Sequence, residues 1–306
     1  MTQPPTSSPH GPEPWAWARE QWEVPVARVR AGHRLSHAQW PDAARVAVAL
    51  SFDVDQETPW LRDGDLSPGG LAHGEFGSRC GLPRILDLLD RHSIPASFFV
   101  PAVAAQLHPS DLADIGAAGH EIGAHGWIHE RPDTLTPAME RDLLHRSLDL
   151  LESLTGSRPV GNRTPSFDTS PMSLHLAHEA GLSYDSSLMA DDMPYEILLD
   201  DTASGLFEVP TDWTRDDAAF LVTDRFGGLR PIPDPRLVTA AWLEDFRAAH
   251  EEGGLFQLTL HPDLIGRRGS FRAFAELVAQ IVASPGVWFA THAQVAALAR
   301  ARSTQP

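Results

Sequence analysis

The sequence contains a single cysteine, Cys80, among 306 residues, so no disulfide can form within one chain. This scarcity is compatible with a reducing compartment. The chain also lacks an apolar run of about 18 residues, which a membrane-spanning helix would need. Its first seven residues have neither the basic start nor the apolar core of a signal peptide. Together these absences predict a soluble, cytoplasmic protein.

Positive charge is also scarce: 24 Lys and Arg against 41 Asp and Glu give a formal net charge of −17. That field would repel nucleic acid and anionic membranes, so we expect neither as a partner. A neutral substrate, or a metal ion drawn to a carboxylate-rich site, fits this charge better. The hydrophobic content of 42% is enough for a substantial core. A chain of this length allows one large α/β barrel or two ordinary domains.

Two regions differ in composition. Residues 1–43 form an arm rich in proline and tryptophan, and the six prolines among its first 25 positions argue against regular structure. Its four tryptophans suggest packing onto something, and a neighbouring subunit would make the protein a homo-oligomer. A partly ordered leader explains the arm equally well. Residues 44–306 show no composition break, which predicts one catalytic domain.

Strands and helices alternate through this second region. Short apolar runs predict strands at 46–52, 96–100, 121–125, 182–186, 206–209, 255–260 and 287–290. Helical spacing of apolar residues predicts helices at 82–89, 112–118, 136–154, 172–180, 237–250, 271–282 and from 293 onward. Residues 187–235, which include the strand predicted at 206–209, are the least regular part and are expected to be long loops over the mouth of a barrel, where substrate selection would lie.

Metal-capable side chains follow several predicted strands directly. Asp53 and Asp55 end the first strand, His125 and His129 follow the third, and His261 ends the sixth. In βα-barrel enzymes the chemistry gathers at the C-terminal strand ends. Two carboxylates on one side of a strand end repel each other unless a cation lies between them. One carboxylate with two imidazoles would leave positions on a divalent metal open for water and substrate.

Each of these signals has a simpler alternative. The spacing of His125 and His129 recurs at His33 and His37 in the arm, so the spacing alone is weak evidence. The aspartates could begin a solvated loop. His261 alone is more simply a hydrogen-bonded structural histidine, and Arg163 alone a surface charge. Position at strand ends is what distinguishes the site residues from these alternatives.

Six segments, in this order along the chain, resemble the polysaccharide deacetylase (NodB-type) superfamily, especially its peptidoglycan-deacetylase-like and allantoinase-like branch. They are Ser51-Phe52-Asp53-Val54-Asp55, His125-Gly126-Trp127-Ile128-His129, Arg163-Thr164-Pro165, Asp185-Ser186-Ser187, Pro210-Thr211-Asp212-Trp213 and Leu258-Thr259-Leu260-His261-Pro262. The resemblance extends from about residue 45 to 297. It implies a distorted (β/α) barrel of about seven strands and a divalent metal, commonly Zn²⁺.

Carried over by position, the resemblance implies a role for each site residue. Asp55, His125 and His129 would bind the metal. Asp53 would be the general base, with Arg163 as its partner, and His261 the general acid. Substrate binding is expected at Asp212, Trp213, Thr259 and Leu260.

The chain departs from the family pattern at two positions. Val54 separates two aspartates that are usually adjacent, which leaves the division of roles between Asp53 and Asp55 open. Thr259 stands where the family has a leucine that lines the pocket for an acetyl methyl group, so acetyl specificity is also open.

The expected activity is hydrolysis of non-peptide carbon–nitrogen bonds, with removal of N-acetyl groups from amino sugars as the first hypothesis. A second hypothesis keeps the catalyst but takes a small cyclic amide or imide as substrate. The absence of a signal peptide and the presence of Thr259 favour that alternative. A third hypothesis is a carbohydrate-binding barrel without catalysis.

Overall fold

The structure is a computed structural model that describes residues 13–35, 40–223 and 231–303. Its strands are β1 (Val29–Arg34), β2 (Val46–Asp53), β3 (Ser97–Val100), β4 (Glu121–Ala124), β5 (Gly161–Asn162), β6 (Tyr184–Asp185), β7 (Tyr195–Leu199), β8 (Thr202–Glu208), β9 (Leu255–Leu260) and β10 (Val287–Phe289). Its helices are α1 (Arg19–Arg28), α2 (Thr58–Arg62), α3 (Pro68–Phe76), α4 (Leu82–His92), α5 (Ala102–Leu107), α6 (Pro109–Ala117), α7 (Pro137–Thr155), α8 (Ser173–Glu179), α9 (Ala218–Leu221), α10 (Pro235–Glu252), α11 (Pro262–Ile265), α12 (Arg268–Val282) and α13 (His292–Ser303).

Seven parallel strands form a curled sheet in the order β9, β2, β3, β4, β5, β6 and β8. Beyond β8 the chain returns to β9, where Asp216 forms a parallel bridge with Thr259. β10 adds a parallel partner to the first half of β2. This arrangement confirms the predicted distorted (β/α) barrel. Because the strands are parallel, their C-terminal ends lie at one rim.

Alternation along β2 determines what faces the inside of the barrel. Val48, Leu50 and Phe52 belong to the large apolar core that also contains residues of the surrounding helices. Ala47 and Ala49 face the other way, into a second apolar cluster inside the curl. Successive side chains of a strand point to opposite faces. The inner face of β2 therefore changes from alanine to Ser51 and Asp53 as it approaches the rim.

Local signals explain where the elements begin and end. The Thr136 hydroxyl caps α7 by accepting a hydrogen bond from the Met139 amide at 3.3 Å. Gly156 ends the same helix in the left-handed conformation, with φ of 75°. All of the strands and helices predicted between residue 44 and the C-terminus are present, with bounds shifted by a few residues. In the described parts of the chain, no helix has the length and apolar character needed to cross a membrane.

The arm differs from expectation. Regular structure was not predicted there, yet α1 continues past Pro25, and β1 pairs antiparallel with β7. Trp40 is buried and stacks on Trp288, with ring centroids 5.9 Å apart. Trp15, by contrast, is exposed. His33 lies in β1, while His37 falls outside the described residues. The expectation of an irregular arm is therefore wrong for residues 19–34, because pairing with a distant strand stabilises β1.

The segment 187–235 also contains structure that was not predicted. β7 and β8 form a hairpin closed by Asp200 and Asp201, both of which have positive φ values (47° and 59°). Two left-handed residues give the tight turn that matches the twist of a hairpin, and aspartate tolerates this conformation better than most residues. The loop prediction is wrong for β7 and for the first part of β8, whose last residues fall in the strand predicted at 206–209. Residues 224–230, also predicted as loop, lie outside the described residues.

Candidate active site

Asp53 and Asp55 both point into the barrel at the rim. Asp53 is the last residue of β2, and the Val54 amide extends the strand pairing by donating to the Phe99 carbonyl at 2.8 Å. The Val54 side chain is buried in the outer core. The intervening valine therefore keeps the two carboxylates on the inner side, as their spacing predicted.

The two carboxylates have different partners. Asp53 Oδ1 accepts a hydrogen bond from Arg163 Nη1 at 2.6 Å, and both side chains are buried. Asp55 instead lies among imidazoles: its oxygens are 3.4 Å from His125 Nε2 and 3.2 Å from His129 Nε2. Asp53 Oδ2 lies 3.7 Å from the same His125 nitrogen. The structure thus places an arginine-paired carboxylate beside an imidazole-paired one.

Asp55, His125 and His129 form a set of side chains that could hold a metal ion, with ligand atoms within 4.8 Å of one another. Asp55 Oδ1 and His125 Nε2 are buried and have no hydrogen-bond partner among the described residues. His125 Nδ1 donates to the Arg163 carbonyl at 2.8 Å, which leaves the Nε2 lone pair facing the site. These unpaired atoms fit a bound cation, as does the mixed carboxylate and imidazole donor set.

His129 can serve as a metal ligand under one condition. Arg62 Nη1 lies 2.5 Å from His129 Nδ1 and also donates to the His129 carbonyl at 3.1 Å. An arginine only donates, so in this arrangement the ring proton is on Nε2, toward Asp55. Ligation through Nε2 requires that proton to be lost and Nδ1 to carry one instead. Arg62 would then keep only its contact to the carbonyl.

The electrostatics of the set also suit a cation. Burial alone would raise the pKa of Asp55, but the imidazoles of His129, His125 and His261 lower it well below its usual range. Burial lowers the pKa of His125, although the carboxylates of Asp53 and Asp55 oppose the shift. The site therefore presents an ionised carboxylate and a neutral imidazole, which are the protonation states of metal ligands.

His261 lies beside Asp55 at the same rim. Its Nε2 is 3.7 Å from Asp55 Oδ2, and its Nδ1 is 2.6 Å from Asp217 Oδ1. The His261 amide also donates to Asp217, at 3.1 Å. Burial would lower the pKa of His261, but the carboxylates of Asp217, Asp216 and Asp55 raise it well above its usual value. His261 is thus held as a proton donor, with Nε2 facing the rim.

Asp217 was not predicted as a site residue. It is fully buried, and burial raises the pKa of its carboxyl to about 7 against the opposing charge of His261. No apolar strand precedes it in sequence, so the strand-end rule could not find it. Its amide donates to the Thr259 carbonyl at 3.1 Å, and this contact brings it beside His261. The only sequence signal was a pair of adjacent aspartates in a segment without periodicity.

The four predicted substrate residues are in different environments. Trp213 is partly exposed, and its ring packs edge-on against Phe167 with centroids 4.9 Å apart. Phe167 in turn lies over the Arg163 guanidinium, 5.8 Å from Cζ to the ring centroid. Asp212 caps a turn by accepting from the amide and hydroxyl of Thr214, both at 2.6 Å. Trp213 therefore lies near the site, whereas the Asp212 carboxylate has a structural partner.

Thr259 and Leu260 face opposite sides of β9. Thr259 is buried on the inner side, where its hydroxyl accepts from Gln257 Nε2 at 2.8 Å. Leu260 belongs to the outer apolar core and has no exposed surface. The prediction that Leu260 binds substrate needs correction, because strand alternation turns its side chain away from the rim. Thr259 is on the correct face but lies beneath the surface.

The assembled groups can perform acyl chemistry. A carboxylate fixed by an arginine can accept a proton, and an imidazole held by a carboxylate can donate one. A metal between them would polarise a carbonyl. Activation of water on one side and protonation of a leaving group on the other are the two proton transfers of amide hydrolysis.

Comparisons with known proteins agree with this chemistry. Residues 46–184 match the polysaccharide deacetylase family. The peptidoglycan deacetylase of Helicobacter pylori is 28% identical over 285 residues, covering 83% of this chain and 96% of that protein. A protein from Mycobacterium smegmatis assigned as a polysaccharide deacetylase is 36% identical, with a TM-score of 0.82 and coverage of 91% and 97% of the two chains.

A further solved structure has a different named activity. The Puue allantoinase is 26% identical, with a TM-score of 0.79 and coverage of 90% of this chain and 96% of that one. The long match to the mycobacterial protein and the match of residues 46–184 establish that this chain is an amide-bond hydrolase of the polysaccharide deacetylase family.

Proposed function

We propose that the protein is a zinc-dependent N-deacetylase of a neutral, N-acetylated amino sugar. The observation that carries this proposal is the meeting of three groups at one rim: the Asp53–Arg163 pair, the set formed by Asp55, His125 and His129, and His261. The names of the H. pylori and M. smegmatis relatives support a saccharide substrate. The net charge of −17 favours a neutral substrate over an anionic one.

In the proposed mechanism each side chain has one task. Asp55, His125 and His129 would hold Zn²⁺, which supplies Lewis-acid polarisation of the amide carbonyl and makes water a stronger acid. Asp53, held in place by Arg163, accepts the proton of the attacking water. His261 protonates the departing nitrogen, and general acid catalysis of this kind contributes about 10² to 10⁴ in rate. Trp213, with Phe167 beside it, provides an aromatic wall for the substrate.

A cyclic amide or imide is the second candidate substrate. The likeness to the Puue allantoinase supports this substrate, since the structural match extends over 96% of that chain. Thr259 supports it as well, because a hydroxyl paired with Gln257 takes the place of an apolar side chain under the site. Ring opening requires the same base, acid and metal but releases no acetate.

Assays of the purified protein on both substrate classes decide between these functions. Acetate release from N-acetylated oligosaccharides is expected, with ring opening of cyclic imides as the competing result. Activity should be lost with a chelator and return with Zn²⁺. His129→Ala should be inactive, and His33→Ala is its matched control, because it removes a histidine of identical spacing from the arm. Full activity in the presence of chelator would disprove the metal mechanism.

We also propose a cytoplasmic homo-oligomer assembled through the arm. Trp15, Trp17 and Trp22 expose between 41% and 85% of their surface, which is unusual for tryptophan. Light scattering of the wild type and of Trp22→Glu tests assembly: the wild type should be larger than one chain, and the variant smaller than the wild type. Cell fractionation tests the location.

A further inference from the structure

The guanidinium of Arg163 is completely buried, and it has one hydrogen-bond contact for each of its five N–H groups. Nη1 donates to Asp53 and to Ser51 Oγ at 2.9 Å, and Nε donates to the Ser186 carbonyl at 3.0 Å. Nη2 donates to Ser186 Oγ at 2.9 Å and contacts His292 Nε2 at 3.2 Å. An arginine has five donors and remains charged, so each acceptor restricts where the group can lie.

The contact with Arg163 fixes the tautomer of His292. Because the guanidinium only donates, Nε2 of His292 is the acceptor and carries no proton. The single ring proton is then on Nδ1, which lies 3.1 Å from Ser97 Oγ. That hydroxyl donates to Glu121 Oε2 at 2.6 Å. Burial and the charge of Arg163 both lower the pKa of His292 well below its usual value, consistent with a neutral ring.

The His292 ring has little freedom to move. It is the first residue of α13, it has no exposed surface, and its amide also donates to Ser97 Oγ, at 2.8 Å. The Phe99 ring packs edge-on against it, with centroids 5.4 Å apart. A rigid acceptor on one side of a buried arginine therefore defines the position of the guanidinium.

We propose that His292 is a positioning residue for amide hydrolysis, acting on Asp53 through Arg163. The proposal rests on the proposed role of Asp53 as the base. Without the acceptor at His292 Nε2, one buried N–H of Arg163 loses its partner, and the guanidinium must move to find another. The Asp53 carboxylate is held by that same guanidinium at 2.6 Å and would move with it. A displacement of about 1 Å in a catalytic group can reduce the rate by roughly 10²-fold.

A matched pair of substitutions separates positioning from packing. His292→Gln can place its amide oxygen near the former Nε2, whereas His292→Met has a similar length but no strong acceptor. We expect His292→Met to lower kcat by about tenfold to a hundredfold, with KM and bound zinc close to wild type, and His292→Gln to recover most of the loss. His250→Met, which replaces a half-buried histidine outside the active site, is the control. Equal losses in both variants, or no loss in either, would overturn the proposal.

A spectroscopic measurement decides the proposal independently of turnover. Nitrogen-15 NMR should find Nε2 of His292 unprotonated in the wild type. The Arg163 Nε–H resonance should be sharp and similar in wild type and His292→Gln, and shifted or broadened in His292→Met. Protonated Nε2, or an unchanged arginine resonance in the methionine variant, contradicts it. A wild type that hydrolyses no amide refutes the proposed function instead, and the NMR result still decides whether His292 positions Arg163.

Discussion

Two pairs of buried carboxylates lie near the same strands but in opposite electrostatic environments. Asp53 and Asp55 face the inside of the barrel, against an arginine and several imidazoles. Asp185 and Glu208 are neighbours in the pairing of β6 with β8. Their hydrogen-bond donors are neutral: Asn162 Nδ2 to Asp185 and the Leu188 amide to Glu208, each at 3.0 Å.

The pKa values of the two pairs move in opposite directions. The pKa of Asp55 is well below its usual range because imidazoles outweigh burial. Burial raises the pKa of Asp185 to about 6 and that of Glu208 well above its usual value. Hydrogen bonds from neutral donors, and then the charge of Arg163, offset this only in part. Burial alone therefore does not identify a functional carboxylate. The presence of cationic partners distinguishes the pair at the rim.

The largest expected difference is in activity. Asp55→Asn removes a charged candidate metal ligand, whereas Asp185→Asn makes the same chemical change at an equally buried aspartate that is hydrogen-bonded by the neutral Asn162. Loss of metal polarisation removes several kcal/mol of transition-state stabilisation, so Asp55→Asn should lower kcat by about 10³-fold or more. Asp185→Asn should stay within about threefold of wild type, a barrier change of at most ~0.6 kcal/mol, since Asp185 is assigned no contact with the metal or the substrate.

Turnover and metal content of both variants provide the measurement. Asp55→Asn should also purify with little metal, and Asp185→Asn with the wild-type amount. If the two variants lost activity equally, burial and not the cationic partner would be the relevant property, and the comparison would fail.

Asp217 is an intermediate case, buried like Glu208 but paired with a single cation, His261. Asp217→Asn should leave His261 in place but remove the charge that holds it protonated. We expect kcat to fall by about tenfold to a hundredfold, less than the full contribution of a general acid. The loss should shrink for amides whose leaving nitrogen is weakly basic, because these need less protonation. The same loss for every leaving group would contradict the role of His261 as the acid.

The sequence predicted the rim because local patterns produce it. An apolar run followed by a polar residue determines where β2 and β9 end, and parallel strands bring such ends together. Thr136 and Gly156 likewise mark the ends of α7 by interactions within a few residues. These features depend on neighbours in the chain, so they can be recognised without the fold.

The features that were missed depend on distant contacts. β1 forms a strand because it pairs with β7, far away in the sequence: Val29 lies opposite Leu199, 170 residues further along the chain. Asp217 reaches His261 only through the contact between its own amide and β9. Leu260 is different, because its alternation with Leu258 already indicated the outer core.

The smallest expected effect is on the contribution of Asp185 and Glu208 to stability. A carboxyl with a raised pKa in the folded state stabilises the fold when protonated, and this stability is lost as pH rises from about 4, the unfolded value, toward the folded pKa. Glu208→Gln stays neutral and can donate to the Asp185 carboxylate. It should therefore increase the free energy of unfolding at pH 8 by about 1 kcal/mol and give little change near pH 4. Urea denaturation at both pH values, with exposed Glu251→Gln as control, measures the difference. A Glu208→Gln variant destabilised at pH 8 would mean that the ionised Glu208 carboxylate is stabilised by its surroundings, as Asp55 is.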